Sequence, residues 1–90
     1  MERRVEIRIY GHVQGVLFRY FVAKNAQKLG IKGLVRNADD GTVNIIAEGE
    51  EEKLFLLIEQ CEEGPRLAEV KKVGVSWSPK TGEFQNFDIQ

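Results

Sequence analysis

The sequence has a single cysteine and no long apolar segment, and each of these absences excludes a class of protein. Cys61 stands alone, which excludes an internal disulfide and a multi-cysteine zinc site and fits a reducing compartment. The longest apolar run, Leu54 to Ile58, is far shorter than the roughly 20 residues that span a membrane. We therefore expect a cytoplasmic protein with neither a membrane segment nor a signal peptide.

The sequence also lacks a strong net charge. Its 90 residues include 13 Lys and Arg against 14 Asp and Glu, which gives a formal net charge of −1. Such a balance provides no general attraction for nucleic acids or anionic membranes, so we expect neither as a partner. No cluster of His, Asp or Glu has metal-ligand spacing, so we expect no metal and no cofactor. A chain of this length forms one domain, residues 1–90.

Hydrophobic periodicity predicts four strands and two helices in the order βαββαβ. Alternating apolar residues predict the strands, at residues 5–10, 31–37, 42–47 and 67–77. Apolar residues at helical spacing predict the helices, at residues 18–29 and from Glu50 to the Gly64-Pro65 stop. A short closing strand follows at residues 87–89. The economical packing is an α+β, ferredoxin-like sandwich, with both helices on one face of a mostly antiparallel sheet.

The last long strand contains a break in its pattern. Ala68 and Val70 share one parity, whereas Val73, Val75 and Trp77 share the other. Because alternate residues of a strand point to opposite faces, one extra residue is needed to keep all of them on the core side. We therefore expect a bulge or bend near Lys71 and Lys72.

The loop between the first strand and the first helix carries the clearest functional signal. It reads Gly11-His12-Val13-Gln14-Gly15-Val16-Leu17-Phe18-Arg19. Its two glycines allow a tight turn, and the helix start leaves several N–H groups without intrahelical partners. Arg19 lies at the positive end of the helix dipole, where a cation is mildly unfavourable unless an anion lies beside it. Because a guanidinium matches phosphoryl oxygens, the loop predicts a phosphate site. It is not a Walker A loop, since the Gly-Lys-Ser/Thr ending is missing.

The pattern Gly11-x-Val13-Gln14-Gly15-Val16-x-Phe18-Arg19 resembles the signature of the acylphosphatase family. The resemblance continues over almost the whole chain, through Leu29-Gly30-Ile31-x-Gly33-x-Val35-x-Asn37, Asp40-Gly41-x-Val43, Gly64-Pro65 and Phe87-x-Ile89. One departure is Leu34, where the family commonly has a tryptophan beside the site. The resemblance implies an enzyme that hydrolyses the carboxyl-phosphate anhydride of acyl phosphates to a carboxylate and inorganic phosphate.

The resemblance also implies roles for individual residues. Arg19 binds the phosphoryl group, and Asn37 holds the water that attacks it. The backbone of the loop cradles the phosphate, and this phosphate-binding loop comprises His12, Val13, Gln14, Gly15, Val16, Leu17 and Phe18. The substrate is then a small acyl phosphate, inorganic phosphate is both product and competitive inhibitor, and we expect a monomer.

Two other functions stay open at this point. The same order of elements occurs in RNA-binding modules, although the first strand offers only Tyr10 for stacking and the third strand offers no aromatic residue. A non-catalytic ligand-sensing domain, or a module of a carbamoyl-phosphate-using maturation enzyme, is the other alternative. We interpret Cys61 as an inert core thiol, His12 as a loop residue without an essential role, and residues 50–52 as a solvated helix start.

Overall fold

The computed structural model describes residues 1–90 as two helices on one five-stranded sheet. In chain order the elements are β1 Glu2–His12, α1 Phe18–Lys28, β2 Lys32–Asn37, β3 Val43–Glu50, α2 Glu51–Glu63, β4 Glu69–Ser78 and β5 Phe87–Ile89. The strand order is β4-β1-β3-β2-β5, antiparallel except for the parallel pair of β2 and β5. The predicted ferredoxin-like fold is confirmed. Neither helix combines the length and the hydropathy that crossing a membrane requires.

The hydrophobic core lies between the helices and one face of the sheet. Val5, Ile7 and Ile9 alternate along β1 and are at most 1% exposed, as the period of two predicts. They share the core with Phe18 and other apolar residues of the two helices. Cys61 belongs to this core, and burial raises the pKa of its thiol to about 12, so the thiol stays protonated at neutral pH.

The predicted bulge is present where β1 pairs with β4. Tyr10 pairs with Lys72 but Gly11 pairs with Val70, so Lys71 is the extra residue. Gly11 has a φ of 131°, and a Cβ atom there would lie 2.1 Å from the carbonyl oxygen of Glu69. Only glycine fits this close approach. Beyond the bulge β1 continues to His12, two residues past the predicted end at Tyr10, because pairing with β4 resumes there.

The segment of residues 79–86 links β4 at one edge of the sheet to β5 at the other, and a buried carboxylate anchors it. Glu48, 3% exposed, lies on the sheet face opposite the helices, since its neighbour Ala47 belongs to the core. Its oxygens accept hydrogen bonds from the backbone N–H groups of Thr81 and Gly82 (2.9 and 3.0 Å), the Thr81 hydroxyl (2.8 Å) and Arg4 Nη1 (3.1 Å).

The environment of Glu48 stabilises its charged form. Burial alone would raise the pKa of the carboxyl group, but the hydrogen bonds from Thr81, Gly82 and Arg4 outweigh burial and lower the pKa from 4.5 to about 2. A lowered pKa in the folded state contributes stability that is complete above pH 4.5 and is lost as the pH falls towards 2. The full contribution is about 3 kcal/mol.

We predict that Glu48→Gln lowers the free energy of unfolding at pH 7 by about 2 kcal/mol, because the amide cannot replace a charged acceptor of several hydrogen bonds. The difference in the free energy of unfolding between the parent and Glu48→Gln should be smaller at pH 3, because the parent has then lost part of the stability that ionised Glu48 contributes. Urea unfolding at both pH values measures this. Glu52→Gln, an exposed position on α2, is the control and should change stability by less than about 0.5 kcal/mol. Equal losses in the two variants would contradict the anchoring role of Glu48.

Candidate active site

The strands β1, β2 and β5 all end on the same side of the sheet, where this side is the one at their carboxyl ends and not an outer strand. β1 and β2 are both antiparallel to β3, and β5 is parallel to β2, so all three run in one direction. At their carboxyl ends, β1 leads into the loop of residues 13–17, β2 ends at Asn37, and β5 is followed by Gln90. Helix α1 also begins at this edge. A cavity of about 290 Å³ lies here, lined by Val13, Gly15, Leu17, Phe18, Arg19, Tyr20, Asn37 and Ile89.

The backbone at the start of α1 offers unpaired hydrogen-bond donors to this cavity. The first helical bond runs from Phe21 N to Leu17 O at 3.0 Å, and the N–H groups of residues 15–20 donate to no protein acceptor. Gly15, with a φ of 75°, lets the chain turn so that the loop reaches the helix start. The first turn contains no acidic residue that would compete for these donors. Unpaired donors at the positive end of a helix dipole form an anion-binding arrangement.

The Arg19 side chain is held in place by the end of the chain. Its Nη1 atom donates to the main-chain oxygen of Gln90 at 2.7 Å, and Gln90 N donates to Val35 O at 2.9 Å. Arg19 forms no ion pair with an Asp or Glu side chain. One nitrogen of the guanidinium is used for positioning, and the other N–H groups stay available to an anion.

Asn37 supplies an acceptor that has no partner. Along β2 it shares the face of the buried residues Gly33 and Val35, so it lies on the helix side of the sheet. Its Oδ1 atom is buried and accepts no hydrogen bond. An unpaired buried acceptor costs about 1–3 kcal/mol, and because Asn37 lines the cavity, its Oδ1 atom can accept from a donor that enters there. Water is the simplest such donor.

The side chain of Gln14 ties the loop to the turn after β2. Gln14 Nε2 donates to the carbonyl oxygens of Ala38 and Thr42, at 2.8 and 2.9 Å. Asp40 braces the same turn, because its Oδ1 atom accepts from Thr42 N at 3.0 Å and from the Thr42 hydroxyl at 2.6 Å. These bonds, with the hydroxyl as the larger cause, lower the pKa of the Asp40 carboxyl. The loop and Asn37 are thereby fixed relative to each other.

The structure brings some of the predicted site residues together and leaves others outside the cavity. Arg19 and Asn37 line it together with Val13, Gly15, Leu17 and Phe18. His12, Gln14 and Val16 do not line it. His12 is exposed and opposite Glu69 at the end of β1, and Val16 is 8% exposed in the core.

Sequence reasoning missed several residues of the site. Tyr20 and Ile89 line the cavity, and Gln90 holds Arg19. The short closing strand was predicted, but nothing in its sequence indicates which edge of the sheet it joins. Leu34, expected beside the site, lies on the opposite face of β2 from Asn37, because odd and even residues of a strand alternate. The structure contains no group of three or more His, Cys, Asp or Glu residues suited to a metal ion.

Comparison with known proteins gives a consistent result. A sequence model of the acylphosphatase family matches residues 5–89. An acylphosphatase from Salinibacter ruber is 46% identical over 89 residues, which cover 99% of this chain and 94% of the relative. The crystal structure of an acylphosphatase from Bacillus subtilis superposes with a TM-score of 0.94, with 38% identity and 100% and 99% coverage of the two chains. Full-length HypF, in a phosphate- and nucleotide-bound form, matches at a TM-score of 0.91 and 35% identity, over 12% of its length.

The loop contains one strained residue. Leu17 precedes α1 with φ 66° and ψ 21°, the left-handed conformation, and it is the one residue other than glycine with a positive φ. Its side chain is 72% exposed, so packing repays little of the strain. The left-handed conformation costs an L-residue with a side chain about 1–2 kcal/mol.

We predict that Leu17→Gly raises the free energy of unfolding by about 1 kcal/mol, because glycine adopts this conformation without strain. Leu67→Gly is the matched control, since Leu67 is 68% exposed and has no positive φ. In Leu67→Gly, the greater conformational freedom of the unfolded chain should lower the free energy of unfolding by about 0.5–1 kcal/mol. Urea unfolding of both variants measures the difference, and a loss of stability in Leu17→Gly would show that the strain is compensated elsewhere.

Proposed function

Because this chain belongs to the acylphosphatase family, hydrolases that act on acyl phosphates, we propose how its own residues carry out that hydrolysis. The phosphoryl group binds between Arg19 and the backbone N–H groups of the loop, and Asn37 orients the water that attacks phosphorus. The observation that carries the proposal is the Asn37 Oδ1 atom, a buried acceptor without a partner, in the cavity that Arg19 also lines.

Binding of the phosphoryl group is supported by the donors around the cavity. The free N–H groups of residues 15–20 and the guanidinium of Arg19 meet at one site. The transferred phosphoryl group spreads negative charge over three oxygens, so fixed donors that surround it stabilise the transition state. The bond from Arg19 to Gln90 keeps the guanidinium in position before the substrate arrives, which reduces the entropy cost of binding. Among the predicted loop residues, Gly15, Leu17 and Phe18 line the cavity and have free backbone N–H groups, whereas His12 lies outside the cavity.

Orientation of the water is the role of Asn37. Its amide oxygen accepts a hydrogen bond from water and so directs a lone pair of that water towards phosphorus. An amide is not a useful base, so the contribution is positional. The leaving group is a carboxylate, already a weak base, and no general acid is required to protonate it. The proton of the water goes to the phosphoryl oxygens of the substrate.

The surroundings of the reaction follow from the same proposal. Inorganic phosphate, the product, competes with the substrate for the same donors. We propose that the chain acts as a cytoplasmic monomer without a nucleic-acid or membrane partner.

We predict that Arg19→Ala and Asn37→Ala fail in different ways. Arg19→Ala should lose most turnover and also raise the inhibition constant for inorganic phosphate, because it removes a charged contact present both before and during the reaction. Asn37→Ala should lower kcat by about two orders of magnitude or more and leave phosphate inhibition nearly unchanged, because it removes only the contact with water. Benzoyl phosphate hydrolysis, phosphate inhibition and thermal unfolding of each variant measure the two patterns.

Two exposed positions provide matched controls for this pair. Lys24→Ala removes a cation from the same helix as Arg19, and Asn86→Ala removes an amide side chain near the start of β5. Both should retain the parent values of kcat and the phosphate inhibition constant. If Asn37→Ala weakened phosphate inhibition as severely as Arg19→Ala, or lost activity only by unfolding, the water-orienting role would be wrong.

We also predict that hydrolysis does not depend on a metal ion, because Arg19 and backbone amides provide the positive field that phosphoryl transfer requires. Activity on acetyl phosphate should survive exhaustive treatment with EDTA and dialysis into metal-free buffer. A loss that added magnesium or zinc restores would contradict this mechanism.

A further inference from the structure

A second cavity lies on the face of the sheet that the helices do not cover. It has a volume of about 380 Å³ and is bounded by all four of the strands β4, β1, β3 and β2. Its polar lining consists of Glu6, Arg8, Tyr10, Arg36, Asn44 and Ser76. Asn37 and the loop of residues 13–17 do not contribute to it. This open-face groove is therefore separate from the proposed catalytic cavity, and its volume falls in the range of small-molecule sites.

One end of the groove carries two arginines around an amide. Arg8 on β1 and Arg36 on β2 both pair directly with Asn44 on β3, so the three side chains form a row on one face. The Cα atoms of the two arginines are then about 10 Å apart, within reach of a shared anion. Arg36 forms no ion pair, and Arg8 has only Asp40, at 3.8 Å. The side-chain amide of Asn44 contacts the Thr42 hydroxyl at 3.3 Å and has a further N–H free to bind an anion.

The next row along the strands has a different character. Glu6 pairs with Ser76 on one side and with Ile46 on the other, and Ile46 pairs with Leu34. This row lies about 7 Å from the arginine row, the distance between alternate residues of a strand. Gly74 and Ser76 are small, which leaves space above the sheet, and the apolar side chains of Ile46 and Leu34 offer contact to a flat ring. Glu6 provides one carboxylate that can accept from an amino group.

Beyond this row, the segment of residues 79–86 crosses the same face of the sheet. Thr81 and Gly82 bind Glu48, which lies on this same face, two residues from Ile46 along β3. A long polymer therefore has no continuous path along the strands, and the carboxylate of Glu6 disfavours a polyanion. We infer that the open-face groove binds a nucleoside monophosphate, with its phosphate between Arg8 and Arg36 and an amino-bearing base over Ser76 and Ile46 beside Glu6.

The test is an NMR titration of the isotope-labelled chain with adenosine 5′-monophosphate. The amide signals of Arg8, Asn44, Gly74 and Ser76 should shift together along one binding curve. Arg36→Gln should weaken binding about tenfold, the effect of losing one charge-assisted hydrogen bond. Lys24→Gln, the same change of charge on helix α1, is the matched control and should bind as the parent does. Ser76→Phe should abolish binding by filling the groove while its thermal unfolding stays unchanged.

The remaining arms of the titration identify the class of ligand. Adenosine, which lacks the anion, and ribose 5-phosphate, which lacks the base, should each bind more weakly than the complete nucleotide. Shifts confined to residues 13–19 and Asn37, or equal weakening by Arg36→Gln and Lys24→Gln, would overturn the proposal. If an adenosine octanucleotide bound more tightly than eight independent nucleotide units would, the proposal would be overturned in favour of RNA binding. None of these measurements requires hydrolysis, so their outcome is independent of the roles of Arg19 and Asn37.

Discussion

Because β1, β2 and β5 run in one direction, their carboxyl ends meet at one edge of the sheet, and every group of the proposed catalytic site depends on that alignment. β1 leads into the loop and the start of α1, β2 ends at Asn37, and β5 leads to the main-chain oxygen of Gln90 that holds Arg19. An antiparallel β5 would place Gln90 at the opposite edge, and the guanidinium would lose its fixed position. The parallel pair of β2 and β5, in an otherwise antiparallel sheet, thus contributes directly to the geometry of the proposed site.

The two buried oxygen acceptors of the sheet show how stability and function are divided. Glu48 accepts hydrogen bonds from Thr81, Gly82 and Arg4, so its burial stabilises the fold. Asn37 Oδ1 accepts none, so its burial costs free energy until a donor binds. Leu17 in the left-handed conformation adds a further cost at the same site. The unpaired acceptor of Asn37 and the strain of Leu17 therefore lie together at the proposed site, whereas the hydrogen bonds of Glu48, which anchors residues 79–86, are satisfied.

The sequence predicts local features well because these depend on neighbouring residues. The alternation of β1, the helical spacing of α1 and the parity change at Lys71 each act within a few residues, and the structure contains all three. Gln14, Gln90 and Glu48 act over 24 residues or more, through side chains that reach another element. Their partners depend on register and strand order, which periodicity does not specify. Asn37 was proposed only because the family resemblance carries such long-range information, whereas Arg19 was already indicated by its position at the start of α1.

The alternation of side chains along β2 also separates two surfaces by a single residue. Asn37 lies on the helix side and Arg36 on the open face, so a change at one position need not disturb the other. A physical link nevertheless exists through Asp40, which faces Arg8 on one side and holds Thr42 on the other. Thr42 in turn accepts from Gln14 of the loop. An anion in the open-face groove competes with Asp40 for Arg8, and it affects hydrolysis only to the extent that Asp40 then holds the turn differently.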